Sequence, residues 1–208
     1  EKLERMDRLI ATMKARGIYI TLDLYMVRNL AMGEVEEFPD LALNSDQFKA
    51  MPFLSESAMK SWEDFSANLL NHVNPHTGLA WKNDPAIVSI SLINEDTIFA
   101  TATRDPKVRK FYQDKFWKYV KEKRLKITEQ NRDRYWKLFL AETYSRGYRR
   151  MAKFLRGLGV RALLTDQNMW SGAMLAIMRS DYDLVDNHFY WEPPSFLGKS
   201  WSLPLLIC

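Results

Sequence analysis

The sequence predicts an α/β protein of the TIM (β/α)8-barrel type, present in part. Three observations point there. Helix-period and strand-period segments alternate along the 208 residues, giving four strands with helices between them, the pattern of a right-handed βαβ series. Ile87 to Ile93 is a short apolar run with two serines, preceded by Pro85, which suits a strand buried on both faces of a parallel sheet. No glycine-rich phosphate loop follows any strand, which argues against the open nucleotide-binding sheet that the same alternation can build. A whole barrel takes about 250 residues, so four strands amount to the middle half of one. The length suits one domain over residues 1–208.

Leu3, Met6, Leu9, Ile10 and Met13 fall at helical spacing and Gly17 closes that helix. Ile18 to Tyr25 reads as the first strand. Residues 26–54, with Pro39, Asn44 and Pro52, read as a long loop of the kind that usually serves a function. Ser55 is an N-cap for a helix through Met59, Trp62, Phe65, Leu69, Leu70 and Val73. Asn74 to Gly78 is a turn, and the strand Ile87 to Ile93 follows. Val108, Phe111, Tyr112 and Tyr119 predict a helix over about 106–122. Trp136, Phe139, Leu140, Met151, Phe154 and Leu155 predict another over about 131–157, ended by Gly157 and Gly159. Val160 to Asp166 reads as the third strand, a short helix spans about 171–179, and Leu184 to Tyr190 reads as the fourth strand before Pro193 and Pro194 break the pattern.

Hydrophobic residues make up 47% and charged residues 27% of the chain, as in ordinary globular proteins. Thirty basic and 26 acidic side chains give a net charge of +4. They are intermixed, as in Lys121-Glu122-Lys123-Arg124, so the one-signed stripe of a nucleic-acid binder is absent. No apolar run reaches the length of a membrane span. Cys208 is the single cysteine, which excludes an internal disulfide framework. The chain opens inside a helical pattern without Met and shows no signal peptide, as expected of a segment from a longer protein. Seven Trp, nine Tyr and eleven Phe serve either as bulky core or as platforms on which sugar rings pack.

The strand ends carry the polar residues. Asp23 and Tyr25 close the first strand, and Asn94, Glu95 and Asp96 the second. Asp166, Asn168 and Trp170 follow the third, and His188, Tyr190 and Trp191 close the fourth. In parallel strands these clusters share one rim, the C-terminal end where barrels keep their chemistry. Strand alternation places Ser89, Ser91, Ile93 and Glu95 on one face. Asp23, Asp166 and Glu95 lack the His-rich spacing of a metal site.

These segments resemble the retaining glycoside hydrolases of the large barrel clan, which includes family 5 cellulases and mannanases and related β-galactosidases. Thr77 to Pro85 precedes the strand as in many of these enzymes. Asn94-Glu95 matches the Asn-Glu that ends their fourth strand. His188-Phe189-Tyr190, about ninety residues later, matches the His-X-Tyr that ends their sixth. The resemblance covers essentially the whole chain and implies strands three to six. It implies hydrolysis of β-linked glycans by double displacement, with an oligosaccharide or polysaccharide as substrate and no cofactor, nucleic acid or membrane. Glu95 is then the general acid/base. Asn94, His188, Tyr190, Trp170, Trp191 and Asp23 are substrate-binding, the two tryptophans as stacking platforms. Secreted or periplasmic action fits such an enzyme. The chain departs from the pattern in one respect: after Tyr190 its only acidic residue is Glu192. The nucleophilic Glu is therefore expected beyond Cys208, and residues 1–208 alone are expected to be inactive. The alternative is a glycan-binding relative that has lost the nucleophile.

Overall fold

The computed structural model describes residues 1–26, 28–95, 98–166, 168, 173–189, 195–196 and 205–206. Helix α1 (Lys2–Ala15) leads into strand β1 (Ile20–Asp23). Helices α2 (Ser45–Ala50) and α3 (Glu56–Asn71) separate β1 from β2 (Ile87–Ser91). Helices α4 (Ile98–Arg104), α5 (Pro106–Glu122) and α6 (Glu129–Gly157) separate β2 from β3 (Leu163–Thr165), and α7 (Ala173–Met178) follows. The three strands form one parallel sheet in the order β1-β2-β3, and β4 (Ser195–Phe196) pairs antiparallel with β5 (Leu205–Leu206).

Local chemistry accounts for the helix starts. The Ser55 hydroxyl caps α3 by accepting from the Ala58 N–H at 3.0 Å, as its position before an apolar helical stripe predicts. Asp105 caps α5 by accepting from the N–H groups of Lys107 and Val108, with Pro106 at the first helical position. Those bonds outweigh its partial burial and hold its carboxyl below the usual aspartate range. Asn44 and Gln47 form a reciprocal capping box on α2.

The sheet register places Leu22, Ile90 and Leu164 side by side. All three are buried in the single hydrophobic cluster, where full burial of an aliphatic side chain contributes about 1.5–3 kcal/mol. Trp62 of α3, wholly buried, packs there and donates its indole N–H to the Leu92 carbonyl at 3.1 Å. The alternate residues, Thr21, Ser89, Ser91 and Thr165, are small and hydroxylated, and Thr21 and Ser89 share a 2.8 Å hydrogen bond. At the opposite ends of the strands, α1 is held by its buried Asp7. The carboxylate accepts from Trp81 Nε1 at 2.9 Å and meets His72 Nε2 at 2.8 Å, while Asn74 donates to the Asp7 carbonyl.

Helix α6 passes Phe53 at Gly147. A Cβ on Gly147 would lie 2.5 Å from Phe53 Cδ1, and the Phe53 ring is buried against Tyr144 at 5.0 Å between centroids. Gly147→Ala gains up to about 1 kcal/mol of helix propensity but forces this contact apart. A net loss of about 1–3 kcal/mol is expected in denaturant unfolding. A variant as stable as the parent would contradict this packing.

The partial barrel that the sequence suggests, four strands standing for strands three to six, is not what the chain forms. Among the described residues its parallel sheet has three strands, packed with seven helices. Residues 184–189 are not a strand. The reason lies at the outer edge of β3. The Leu164 N–H, which a fourth strand would use, is taken by the Asp183 carboxylate at 2.9 Å. The Leu164 carbonyl accepts the Asp183 N–H at 3.1 Å. Asp183 thus closes the edge, as charged side chains commonly do at sheet margins. The chain then runs alongside β3 until the His188 N–H reaches the Asn168 carbonyl. The long loop predicted over 26–54 is also more structured than expected. It contains α2, a Leu30–Leu43 bridge and buried Leu30, Val35, Leu43 and Phe48.

Candidate active site at the strand ends

The backbone beyond β2 carries the site, and each of its N–H groups has a partner. Leu92 donates to the Thr165 carbonyl at 3.1 Å and Asn94 to the Tyr25 carbonyl at 2.9 Å. Between them, Ile93 donates to Asp166 Oδ1 at 3.1 Å, and next in line Glu95 donates to Asn168 Oδ1 at 2.9 Å. Two side chains that follow β3 therefore continue the ladder where the strands stop. Glu95 sits at φ +49°, a left-handed conformation that is uncommon for a non-glycine residue. Its N–H is tied to Asn168 in that conformation. The alternation predicted from Ser89 to Glu95 consequently ends at Ser91.

Glu95 Oε1 lies 3.1 Å from His188 Nδ1, and both side chains are a little under a third exposed, at 28% and 29%. Both are therefore reachable from solvent while largely held by protein. On its other nitrogen, His188 Nε2 meets Asn168 Nδ2 at 3.1 Å and stands 3.5 Å from Asp186 Oδ2. Among the described residues, Glu95 Oε2 takes part in no hydrogen bond. A carboxyl so arranged can exchange a proton with a ligand through Oε2 while His188 fixes Oε1.

Asp23, at the end of β1, lies near this pair. Burial pushes its carboxyl above the usual aspartate range, and the charges of Asp186 and Glu95 add to that. The Ser91 hydroxyl and His188 act the other way. A carboxyl with a raised folded-state pKa binds more protons folded than unfolded, so it lowers stability as pH rises above about 3.9. Asp23→Asn is therefore expected to unfold at a higher temperature than the parent at pH 7, with the gap closing as pH falls toward 4. A gap that is constant with pH would contradict a raised Asp23.

The structure brings Glu95 and His188 together from positions 93 apart in sequence and sets Asp23 beside them. Asn94 is adjacent, with its Oδ1 buried and without a hydrogen-bond partner among the described residues. Tyr190, Trp170, Trp191 and Glu192 lie outside the described residues. Sequence reasoning gave no role to Asp186 or Asn168. Their signal is a short polar pair after each segment, Asp166-x-Asn168 and Asp186-x-His188. Asp166 itself is wholly buried, and its Oδ2 accepts from the Tyr144 hydroxyl at 2.7 Å. Among the described residues no cluster of three or more His, Cys, Asp or Glu is placed to hold a metal ion, and no described helix is long and apolar enough to cross a membrane. No family model, curated protein or solved structure matches the chain.

Proposed function

We propose that this chain carries the acid/base half of a retaining glycoside hydrolase acting on β-linked glycans, with Glu95 as the acid/base. The observation that carries the proposal is the 3.1 Å contact of Glu95 with His188, which joins the two motifs on which the resemblance rests. Glycoside chemistry is defined by the site and recurs on different folds, so the open three-stranded sheet does not oppose it.

In the first step Glu95, protonated, gives its proton from Oε2 to the glycosidic oxygen as a nucleophilic carboxylate attacks the anomeric carbon. In the second, the Glu95 carboxylate takes a proton from the water that releases the sugar. His188 keeps Oε1 occupied in both steps, so one oxygen alone handles the proton. Asp23, beside the Glu95–His188 pair, is the group assigned to a sugar hydroxyl in this reading. The test is hydrolysis of aryl β-glycosides and β-linked oligosaccharides by the intact protein, with the anomer of the first-formed product followed by proton NMR. A β product supports the proposal, and an α product or no hydrolysis contradicts it.

A second reading, glycan binding without turnover, is favoured by one feature. The carboxylate at the other ring nitrogen, Asp186 at 3.5 Å from Nε2, meets the histidine and not Glu95, so it is not paired with Glu95 as the retaining mechanism requires. Calorimetric binding of β-oligosaccharides with no product formed by the intact protein would select this reading.

A further inference from the structure

We infer that Asn168 is the positioning residue of this site: its side-chain amide selects the Nδ1–H tautomer of His188, so that a neutral imidazole donates to Glu95. The functional weight of this inference rests on Glu95 being the acid/base, whereas the proton assignment itself rests on hydrogen-bond chemistry alone.

The Glu95 backbone N–H can only donate. The Asn168 atom it meets at 2.9 Å is therefore the amide oxygen. The other terminal atom of Asn168 is then the NH2 group, which can only donate, and it meets His188 Nε2 at 3.1 Å. Nε2 must accept, so it carries no proton. A neutral imidazole has one N–H, which is left on Nδ1, 3.1 Å from Glu95 Oε1. The chain of inference thus runs from a backbone N–H, whose role is fixed, through one amide to the histidine proton.

Asn168 is built for this task. It is wholly buried, and its own carbonyl accepts the His188 backbone N–H, so the amide and the imidazole are tied at two points. The same side chain accepts the N–H of Glu95 in its left-handed conformation. Asp183 leads the chain to this point along β3, which explains why a fourth ladder strand is absent just where the histidine must turn toward Glu95.

Among the described residues, the charged groups around His188 are Glu95 on Nδ1, Asp186 on Nε2 and Asp23 nearby. Protonating Nε2 would oppose the Asn168 NH2 group and turn the ring toward Asp186. The amide therefore keeps a nearby carboxylate from drawing a proton onto the wrong nitrogen. An aspartate at position 168 would reverse this. It would still accept from the Glu95 N–H, but it would present a second acceptor to Nε2.

The test is nitrogen-15 NMR of the His188 imidazole in the 208-residue chain, followed over pH. In the parent at a pH where the ring is neutral, Nδ1 is expected to be the protonated nitrogen. The preference is at least about tenfold, because hydrogen bonds at both nitrogens favour it. In Asn168→Asp the proton is expected on Nε2. Asn168→Ala removes the donor without adding charge, and the preference is expected to collapse toward a mixture of tautomers, since a carboxylate then stands near each ring nitrogen. The alanine variant decides the matter if the aspartate variant does not fold. A parent with its proton on Nε2, or a folded variant with the parent's tautomer, would overturn the inference. If the tautomers behave as expected while the intact protein hydrolyses no β-glycoside, the proton assignment stands and the glycosidase proposal falls.

Discussion

Glu95→Gln in the intact protein is expected to lower turnover of β-linked oligosaccharides by about 10²–10⁴-fold, the usual contribution of a general acid. The substitution is nearly isosteric. A glutamine oxygen can still accept from His188 Nδ1 in place of Oε1, so the geometry at 3.1 Å is kept and the folded state is preserved. The only thing removed is the proton that Oε2 delivers. The loss should therefore depend on the leaving group. Poor leaving groups, such as a sugar hydroxyl, need protonation and suffer most. An acidic nitrophenol departs unaided, so its first step is nearly untouched and the loss moves to hydrolysis of the covalent intermediate. A variant within tenfold of the parent on oligosaccharides would exclude Glu95 as the acid.

Asp166→Ala is expected to destabilise the protein by about 1–3 kcal/mol, because it removes the buried acceptor of the Ile93 N–H. That bond is 3.1 Å long, and the carboxylate also accepts from the Tyr144 hydroxyl at 2.7 Å, which can turn to the Tyr182 hydroxyl instead. Asp166 is wholly buried, so its partners are cut off from bulk water. Typical domains have only about 5–15 kcal/mol of stability in total, and this substitution removes a large share. Asp166→Asn keeps one acceptor for Ile93 and should cost less, since the Tyr144 hydroxyl can turn to accept from the new amide. Urea unfolding of the two variants checks the order. A loss below about 1 kcal/mol in the alanine variant would mean that the carboxylate does not hold the end of β2.

How much of this was legible follows from which interactions are local. The cores of β1, β2 and β3, and the helices α1, α3, α5 and α6, all sit where periodicity puts them, because each buries its own stripe. The Ser55 cap was readable for the same reason. Helix α2 was missed within the expected loop, although the Asn44-x-x-Gln47 capping box was there to be read. The fourth strand failed for a non-local reason. Leu184, Val185, Phe189 and Tyr190 look like strand residues, but a strand needs an open neighbour, and Asp183 had already closed the edge of β3. In the site, Glu95, His188 and Asn168 were all visible as polar strand-end residues, whereas the role of Asn168 was not. Its importance depends on the left-handed turn at Glu95, which no pattern of residue types announces for a glutamate.

The most direct measurement is the product that Glu95→Ala forms from an activated aryl β-glycoside in the presence of azide, using the intact protein. With the acid/base gone, azide needs no deprotonation and can attack the covalent glycosyl-enzyme in place of water. Rescue of turnover, with release of the β-glycosyl azide identified by its anomeric NMR signal, is the expected result. Activity unaffected by the substitution, or an α-glycosyl azide, would contradict Glu95 as the acid/base of a retaining glycosidase.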